Sequence, residues 1–299
     1  MTTVRRADLE DVPVSFPGYL VDAIFPYLER PQQAGTMYYQ KYKADIAAQY
    51  GRATATLGAI TANTLGADAI TFACKEVLSR QQMGYDQIAG YASQDFAELA
   101  MARMAKRAFY NKIEQLAADA LLKSDSATDV SADLVAGIED EAARLADTAT
   151  GPVALAMSFA TFAAVRKNAA VADRMKNTGV VVGSGGDPRA VTAEQLAVVL
   201  GVSQVLVGMD AIWKAGVTVA SKAYEKNAAL VILPDRTSDP AEEVQLGRTV
   251  YFGYDSADRH FKIEQFWSDT SKADVIDALG QVDLKILNPE LAKTLKVLA

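Results

Sequence analysis

The sequence predicts an α+β protein that carries a projecting β-hairpin and an extended N-terminal arm. Three observations predict it. The run from Ser93 to Lys123 is thirty-one residues of helix formers without proline or glycine. Short β-favouring runs bounded by polar turns recur on both sides of it. Pro13, Pro17, Pro26 and Pro31 crowd the first 35 residues, where fixed φ angles and missing donors favour an extended chain over a helix.

Composition narrows the function. The 299 residues suffice for one large domain or two small ones, and 50% hydrophobic with 22% charged residues argues against long disorder. A formal net charge of −7 disfavours a protein whose whole surface grips nucleic acid. The single cysteine, Cys74, excludes an intrachain disulfide and a thiolate metal cluster. The single histidine, His260, excludes a multi-histidine metal site. The N-terminus lacks the apolar region of a secretory signal, and the apolar stretch Gly151 to Val165 is too short to span a bilayer. The expectation is a soluble protein made in a reducing cytoplasm.

The elements follow in order. The arm's apolar residues, among them Tyr19, Leu20, Ile24, Phe25, Tyr27 and Leu28, need cover, which a neighbouring molecule would supply. Strands are predicted at Thr36–Tyr42 and Ala69–Val77, around a tip rich in alanine, glycine and threonine, giving a long hairpin. Its segment Met37 to Gly66 has Lys41, Lys43 and Arg52 against Asp45. The long helix has Ser93 as N-cap and an apolar stripe at Phe96, Ala100, Met104 and Ala108, which then shifts to Phe109, Ile113, Leu116 and Ala120. At 1.5 Å per residue it spans roughly 45 Å. Ser131 to Ala149 reads as a second, acidic helix ended by Pro152; from Asp129 to Asp147 six acids face Arg144 alone. A strand at Val153–Met157 precedes a short helix at Phe159–Arg166. Val191–Leu200 is a helix with a Thr192/Gln195 capping box and a stop at Gly201. Strands follow at Gln204–Gly208 and Ala228–Leu233. Arg248–Tyr254 and Phe261–Trp267 read as a pair joined by a turn, and the tail from Lys272 reads as mixed.

Candidate chemistry is sparse. The run Gly183-Ser184-Gly185-Gly186-Asp187-Pro188 has proline where a dinucleotide fingerprint needs its third glycine, and it lacks the P-loop ending, so a surface loop is the stronger reading. His260 sits in a turn with no nucleophile-elbow signature nearby. Cys74 lies among Phe72, Ala73 and Val77 and reads as a packed side chain rather than a reactive thiol. Glu139, Asp140 and Glu141 are adjacent on a helix and splay apart, which suits a solvated or partner-facing surface better than a metal site. No cofactor, metal or catalytic residue is assigned.

The order of these features resembles the major capsid proteins of tailed bacteriophages with the Hong Kong 97-like fold, over about residues 12 to 285. Three strings carry the resemblance: FAELAMARMAKRAFYNKIEQLAADALL (Phe96–Leu122), KNAAVADRMK (Lys167–Lys176) and VTAEQLAVVLGVSQVLVG (Val191–Gly208). In the second, Asn168, Val171, Asp173, Arg174 and Lys176 match the family's pattern while Ala169 replaces a proline. The resemblance implies an N-terminal arm at 1–35 and an extended hairpin, the E-loop, at 36–78. It implies a peripheral (P) domain with a spine helix at 79–127 and 241–299, and an axial (A) domain at 128–240. It implies a non-enzymatic head protein that self-assembles into hexamers and pentamers of an icosahedral shell around double-stranded DNA, held without sequence specificity. Portal and scaffold proteins, and a decoration protein, are the further partners it implies, with no membrane; the place is the virion capsid, after synthesis in a bacterial cytoplasm. No long scaffolding segment precedes the arm, which implies a mature form or a separate scaffold. No partner asparagine or assisting glutamate is matched for a covalent lysine–asparagine link, so that chemistry is not carried over.

The alternatives are an encapsulin-like nanocompartment shell with a protein cargo and a small nucleotide-dependent α/β enzyme using the Gly183 loop. The residues expected at subunit interfaces are Tyr38, Tyr39, Lys41, Lys43 and Arg52 in the hairpin, Asp140 and Glu141 on the acidic helix, and Arg166, Asp173 and Arg174 beyond it.

Overall fold

The computed structural model describes residues 3–11, 19–30, 32–41, 67–122, 127–148, 151–177, 191–208, 227–234, 240, 244–253 and 261–298. In chain order the elements are β1 (Val4–Arg5), α1 (Ala7–Glu10), α2 (Val21–Ile24), β2 (Tyr27–Arg30), β3 (Ala34–Gln40), β4 (Ala67–Ala73), β5 (Lys75–Gly84), α3 (Tyr85–Ile88) and the spine helix α4 (Gln94–Leu121). After the spine come β6 (Thr128–Asp129), α5 (Leu134–Thr148), β7 (Val153–Ser158), α6 (Phe159–Val165), α7 (Ala169–Asn177), α8 (Ala193–Val199) and β8 (Gln204–Gly208). The chain ends with β9 (Asn227–Ile232), β10 (Gly247–Phe252), β11 (Lys262–Ser268), β12 (Ala273–Ile286), a 3-10 turn at Pro289–Leu291 and β13 (Ala292–Lys296).

One sheet is organised by β12. Along one side runs β5, antiparallel, from Ala273 opposite Gly84 to Val282 opposite Lys75. Along the other side lie β11 and then β10, end to end, both antiparallel to it. β1 adds to the outer edge of β11 and β2 to that of β10. This corrects two expectations. β10 and β11 do not pair with each other, and the tail holds the central strand. The reason is length: the 14 residues of β12 offer a partner to both short strands in turn.

The spine lies across β12 and β5. Ser93 caps it, its hydroxyl accepting from Phe96 N at 3.3 Å. Its buried stripe is Ala97, Met101, Ala105, Phe109, Ile113, Ala117 and Leu121, in one cluster with Ile263, Ile276 and Ala278 of the sheet. The expected stripe is therefore wrong by one position at Phe96, Ala100, Met104 and Ala108, right at Phe109 and Ile113, and wrong again at Leu116 and Ala120, because the buried row continues through Ala117 and Leu121 without moving to another face. Phe96 and Met104 are 60% and 45% exposed. Both rows step by four and both carry alanines, so periodicity alone fits either, and the sheet beneath selects the row at 97, 101 and 105, whose alanines let helix and sheet approach closely.

The N-terminal residues are fastened to the same layer. Leu9, Leu20, Val21, Ile24 and Phe25 join the spine's cluster. Glu114, fully buried on the spine, accepts from Leu20 N at 2.7 Å and Val21 N at 2.8 Å. Glu10 accepts from Arg5 Nε at 3.0 Å and Ile263 N at 3.2 Å. The expectation that a neighbour covers the apolar residues of the arm is thus corrected for Leu20, Ile24 and Phe25, which this chain buries itself. Val12, Val14 and Phe16 lie outside the described residues.

The second sheet has the order β6-β13-β9-β7-β8. β7 and β9 are buried along their whole length, since helices and the neighbouring strands cover them. α5 packs on β7, β9 and β13, and α8 on β8. The capping box of α8 forms as expected, Thr192 Oγ1 accepting from Gln195 N at 3.3 Å and Gln195 Oε1 from Thr192 N at 3.0 Å. Gly201 follows at φ +67°, the conformation glycine adopts most readily. Thr294 of β13 donates to Leu121 O at 2.6 Å, so the spine's last turn is tied to the second sheet.

The assigned stripe makes a direct comparison available. Met101→Ala should cost about 2–5 kcal/mol, the range for emptying a packed methionine site. Met104→Ala should stay within about 0.5 kcal/mol. Urea midpoints at unchanged m report both, and equal losses would contradict the assignment. A second prediction concerns Glu98. Burial alone would raise its pKa, yet hydrogen bonds from Gln265 and Arg6 bring it below its ordinary 4.5. A depressed folded pKa means stability that is present above the unfolded value and lost as pH falls through the folded one. The stability gap between the unaltered protein and Glu98→Gln should therefore narrow as pH is lowered below about 4.5, as read from denaturant curves in acid.

Candidate functional site

The hairpin β3–β4 is antiparallel in register Ala34 opposite Ala73 through Gln40 opposite Ala67. Its root is anchored on this chain. Met37 and Phe72 form a second, small core with Cys74, Val250 and Leu287. Gln40 N donates to Pro240 O at 2.8 Å. Asn288 Nδ2, buried, donates to Gln40 O at 3.0 Å and Gln245 O at 2.7 Å, which joins the hairpin to the loop before β10. Asp283 accepts from Ala73 N at 2.8 Å. The predicted return strand Ala69–Val77 is two strands. The chain changes sheets at Cys74, whose thiol points to Val250 O and is pushed up to about 11 by burial, as suits a packed side chain.

Of the hairpin's predicted interface residues, Tyr38 is exposed and Tyr39 packs against the small core. Lys41 pairs with Asp68 across the hairpin at 3.3 Å, so its charge is engaged within the chain. Lys43 and Arg52 lie outside the described residues.

The other predicted residues gather on the second body. α5 and α7 touch, and Arg174 binds Glu139 through both guanidinium nitrogens, one at 2.8 Å. Gly201 leaves the room: a Cβ there would stand 3.2 Å from Glu139 Cγ. Asp140 is exposed beside this pair, Glu141 binds Arg144 at 3.0 Å, and Asp173 binds Lys176 at 3.1 Å. Arg166 lies over the Phe162 ring at 5.2 Å. The acidic helix starts at Leu134 rather than Ser131; Leu134, Val135, Ile138, Ala142 and Leu145 are buried, while Asp133, Asp140 and Asp147 form an outward row. The structure thus ties α7 to α5 through Arg174 and Glu139, with Asp140, Glu141 and Asp173 elsewhere on the same two helices, and sets Tyr38, Tyr39 and Lys41 at the hairpin.

Sequence reasoning missed several exposed apolar side chains. Tyr85 and Tyr91 stand out from the segment between β5 and the spine, Phe96 from the spine's first turn, and Phe159 from the start of α6. The first two lie in GYDQIAGYAS, which has no periodic signal. Among the described residues no group of three histidine, cysteine or acidic side chains is placed to hold a metal, and no helix is long and apolar enough to cross a membrane. The Gly183 loop and His260 lie outside the described residues.

No protein-family model matches the sequence, and a search of curated proteins finds no match. Solved structures do match. A phage-related protein from Bordetella bronchiseptica RB50 is 15% identical, with a TM-score of 0.71, over 99% of this chain and 98% of that one. The capsid of cyanophage P-SCSP1u is 11% identical with a TM-score of 0.57, over 96% and 90% of the two chains. The SrpI encapsulin of Synechococcus elongatus PCC 7942 is 11% identical with a TM-score of 0.53, over 96% and 91%. A hairpin rooted on a β12-centred sheet, a 28-residue spine across that sheet, a second five-stranded sheet with its helices, and end-to-end likeness to shell subunits lead to one conclusion: the chain has the Hong Kong 97-like capsid fold.

Proposed function

We propose that this chain is the shell-forming subunit of a phage or prophage head, assembling as hexamers and pentamers of an icosahedral particle around double-stranded DNA. The observation that supports the reading most is the likeness to a phage-related protein along nearly the whole of both chains. The physical argument agrees: a subunit with a hairpin beyond its sheet and with Tyr38, Tyr85 and Phe96 exposed has apolar surface that its own core does not cover. Head-to-tail contacts between copies cover it and close into rings. Each contact is modest, and repetition supplies the strength.

In this reading the β12-centred sheet with the spine is the P domain (79–127 and 241–299). The sheet that contains β7 and β9 is the A domain (128–240). Residues 36–78 are the E-loop, reaching a neighbour beyond the root that Met37 and Phe72 anchor. The role is structural and assigns no reaction. Portal and scaffold proteins are the partners it calls for, in a particle assembled in the bacterial cytoplasm. A second reading, an encapsulin-like shell holding a protein cargo, is favoured by the likeness to the SrpI encapsulin.

Electron microscopy of the purified protein should show closed particles of uniform size. A stable monomer at all concentrations would overturn the proposal. Nuclease-protected DNA in the particles supports the phage reading, and a co-purifying protein cargo without DNA supports the encapsulin one. A further prediction concerns the hairpin: replacing residues 44–66 with a short glycine–serine linker should leave a folded subunit that no longer closes shells, since the root in the small core stays intact. Particles of normal size from that variant would show that the tip makes no essential contact.

A further inference from the structure

The spine carries a feature that its packing does not use. From Leu99 to Ile113 it has four cations, Arg103, Lys106, Arg107 and Lys112, and no acid, in a chain with 37 acidic residues. Lys106 is spent inside, buried, donating to Glu10 O and lying over the Phe261 ring at 5.4 Å. Lys112 leans toward Gln115 and feels the charge of Asp119. Arg103 and Arg107 are different: both are exposed, and among the described residues neither guanidinium has a hydrogen bond or an ion pair. The contrast is sharp among the described residues, where the other exposed arginines, Arg5, Arg80 and Arg144, each hold a carboxylate. Four residues apart on one helix, the two stand one above the other on the solvent face, about 6 Å apart along the axis. Ala100, one turn before, keeps the approach open.

The geometry points to this pair as a contact for the phosphate backbone of double-stranded DNA, and it rests on the reading of the chain as a DNA-enclosing shell. Guanidinium forks match phosphate oxygens bidentately. A duplex presents one charge per ~3.4 Å on each strand, so two guanidiniums about 6 Å apart meet nearby phosphates in any sequence. The stretch itself carries no acid to repel such a strand, the exposed Asp22 of α2 being an acid whose charge reaches Tyr110, whereas Asp140 and Asp147 of α5, with Asp133 just before it, form an outward acidic row. Only two cations per subunit make the contact weak and releasable, which a container needs, and repetition over the shell makes it add up.

The test uses the full chain and the double variant Arg103→Gln/Arg107→Gln, with Arg103→Lys/Arg107→Lys as the conservative control. Binding of unassembled subunits to a fluorescent 30-base-pair duplex is followed by anisotropy across salt, and particle formation by electron microscopy. The glutamine variant should lose about 2 from the slope of log affinity against log salt. The lysine variant should keep it. An unchanged slope, or no binding by the unaltered protein at low salt, overturns the proposal. A variant that keeps its slope but stops assembling assigns the pair to a contact between copies instead, which also overturns it. If no protein assembles yet the slopes differ as expected, the shell reading falls and the phosphate contact stands.

Discussion

The close seat of the spine on β12 and β5 is the constraint on which the other elements depend. Alanines at 97, 105 and 117 alternate along it with Met101, Phe109, Ile113 and Leu121, so large side chains enter the sheet's surface where small ones let the backbones approach. The N-terminal residues use the spine as their floor, and the second sheet is tied to its last turn through Thr294. Loosening this seat would release the N-terminal segment, the central strand and the link between the two sheets together.

Polar groups set the register of what the apolar seat holds. Glu114 satisfies two backbone donors at the start of α2, and Glu10 satisfies one on β11 while pairing with Arg5. A buried carboxylate without such donors would carry a large desolvation cost, so each one fixes where its partner segment must lie. That positional exactness would matter in the proposed shell, where a small shift of the N-terminal segment would be repeated in every copy.

Much of the fold was legible. The Ser93 cap, the unbroken helix behind it, the Thr192/Gln195 box with Gly201, and the strands at 153–157, 204–208 and 228–233 all follow from local chemistry, and local chemistry is what formed them. What was not legible depended on long-range partners. Periodicity in the spine fits two rows a single position apart, and only the sheet beneath selects Met101 over Met104. β10 and β11 are adjacent in sequence and look like a hairpin, but β12 outcompetes that pairing by offering more ladder to each. Proline spacing in the first 35 residues favoured an extended chain, yet the short helices α1 and α2 form there, and the spacing carries no information about Glu114, ninety-four residues away from Leu20, which holds the segment down. For the candidate surfaces, residue type showed which side chains were charged, while Arg174 reaching Glu139 and Lys41 reaching Asp68 required the third dimension.

The change of sheet at Cys74 has a mechanical consequence. Because β4 passes into β5 with only that residue between them, and β5 pairs with β12 over ten residues, a pull on the hairpin is delivered lengthwise along the longest ladder among the described residues. Ladders loaded lengthwise share the force among all their hydrogen bonds at once, whereas ladders opened from one end break one bond at a time. The small core of Met37, Phe72, Cys74, Val250 and Leu287 sits at the point where the load enters and keeps it from becoming a peel. Tension at the hairpin therefore meets the chain as shear on its central strand, and the root should be among the last parts of the molecule to yield when the hairpin is pulled.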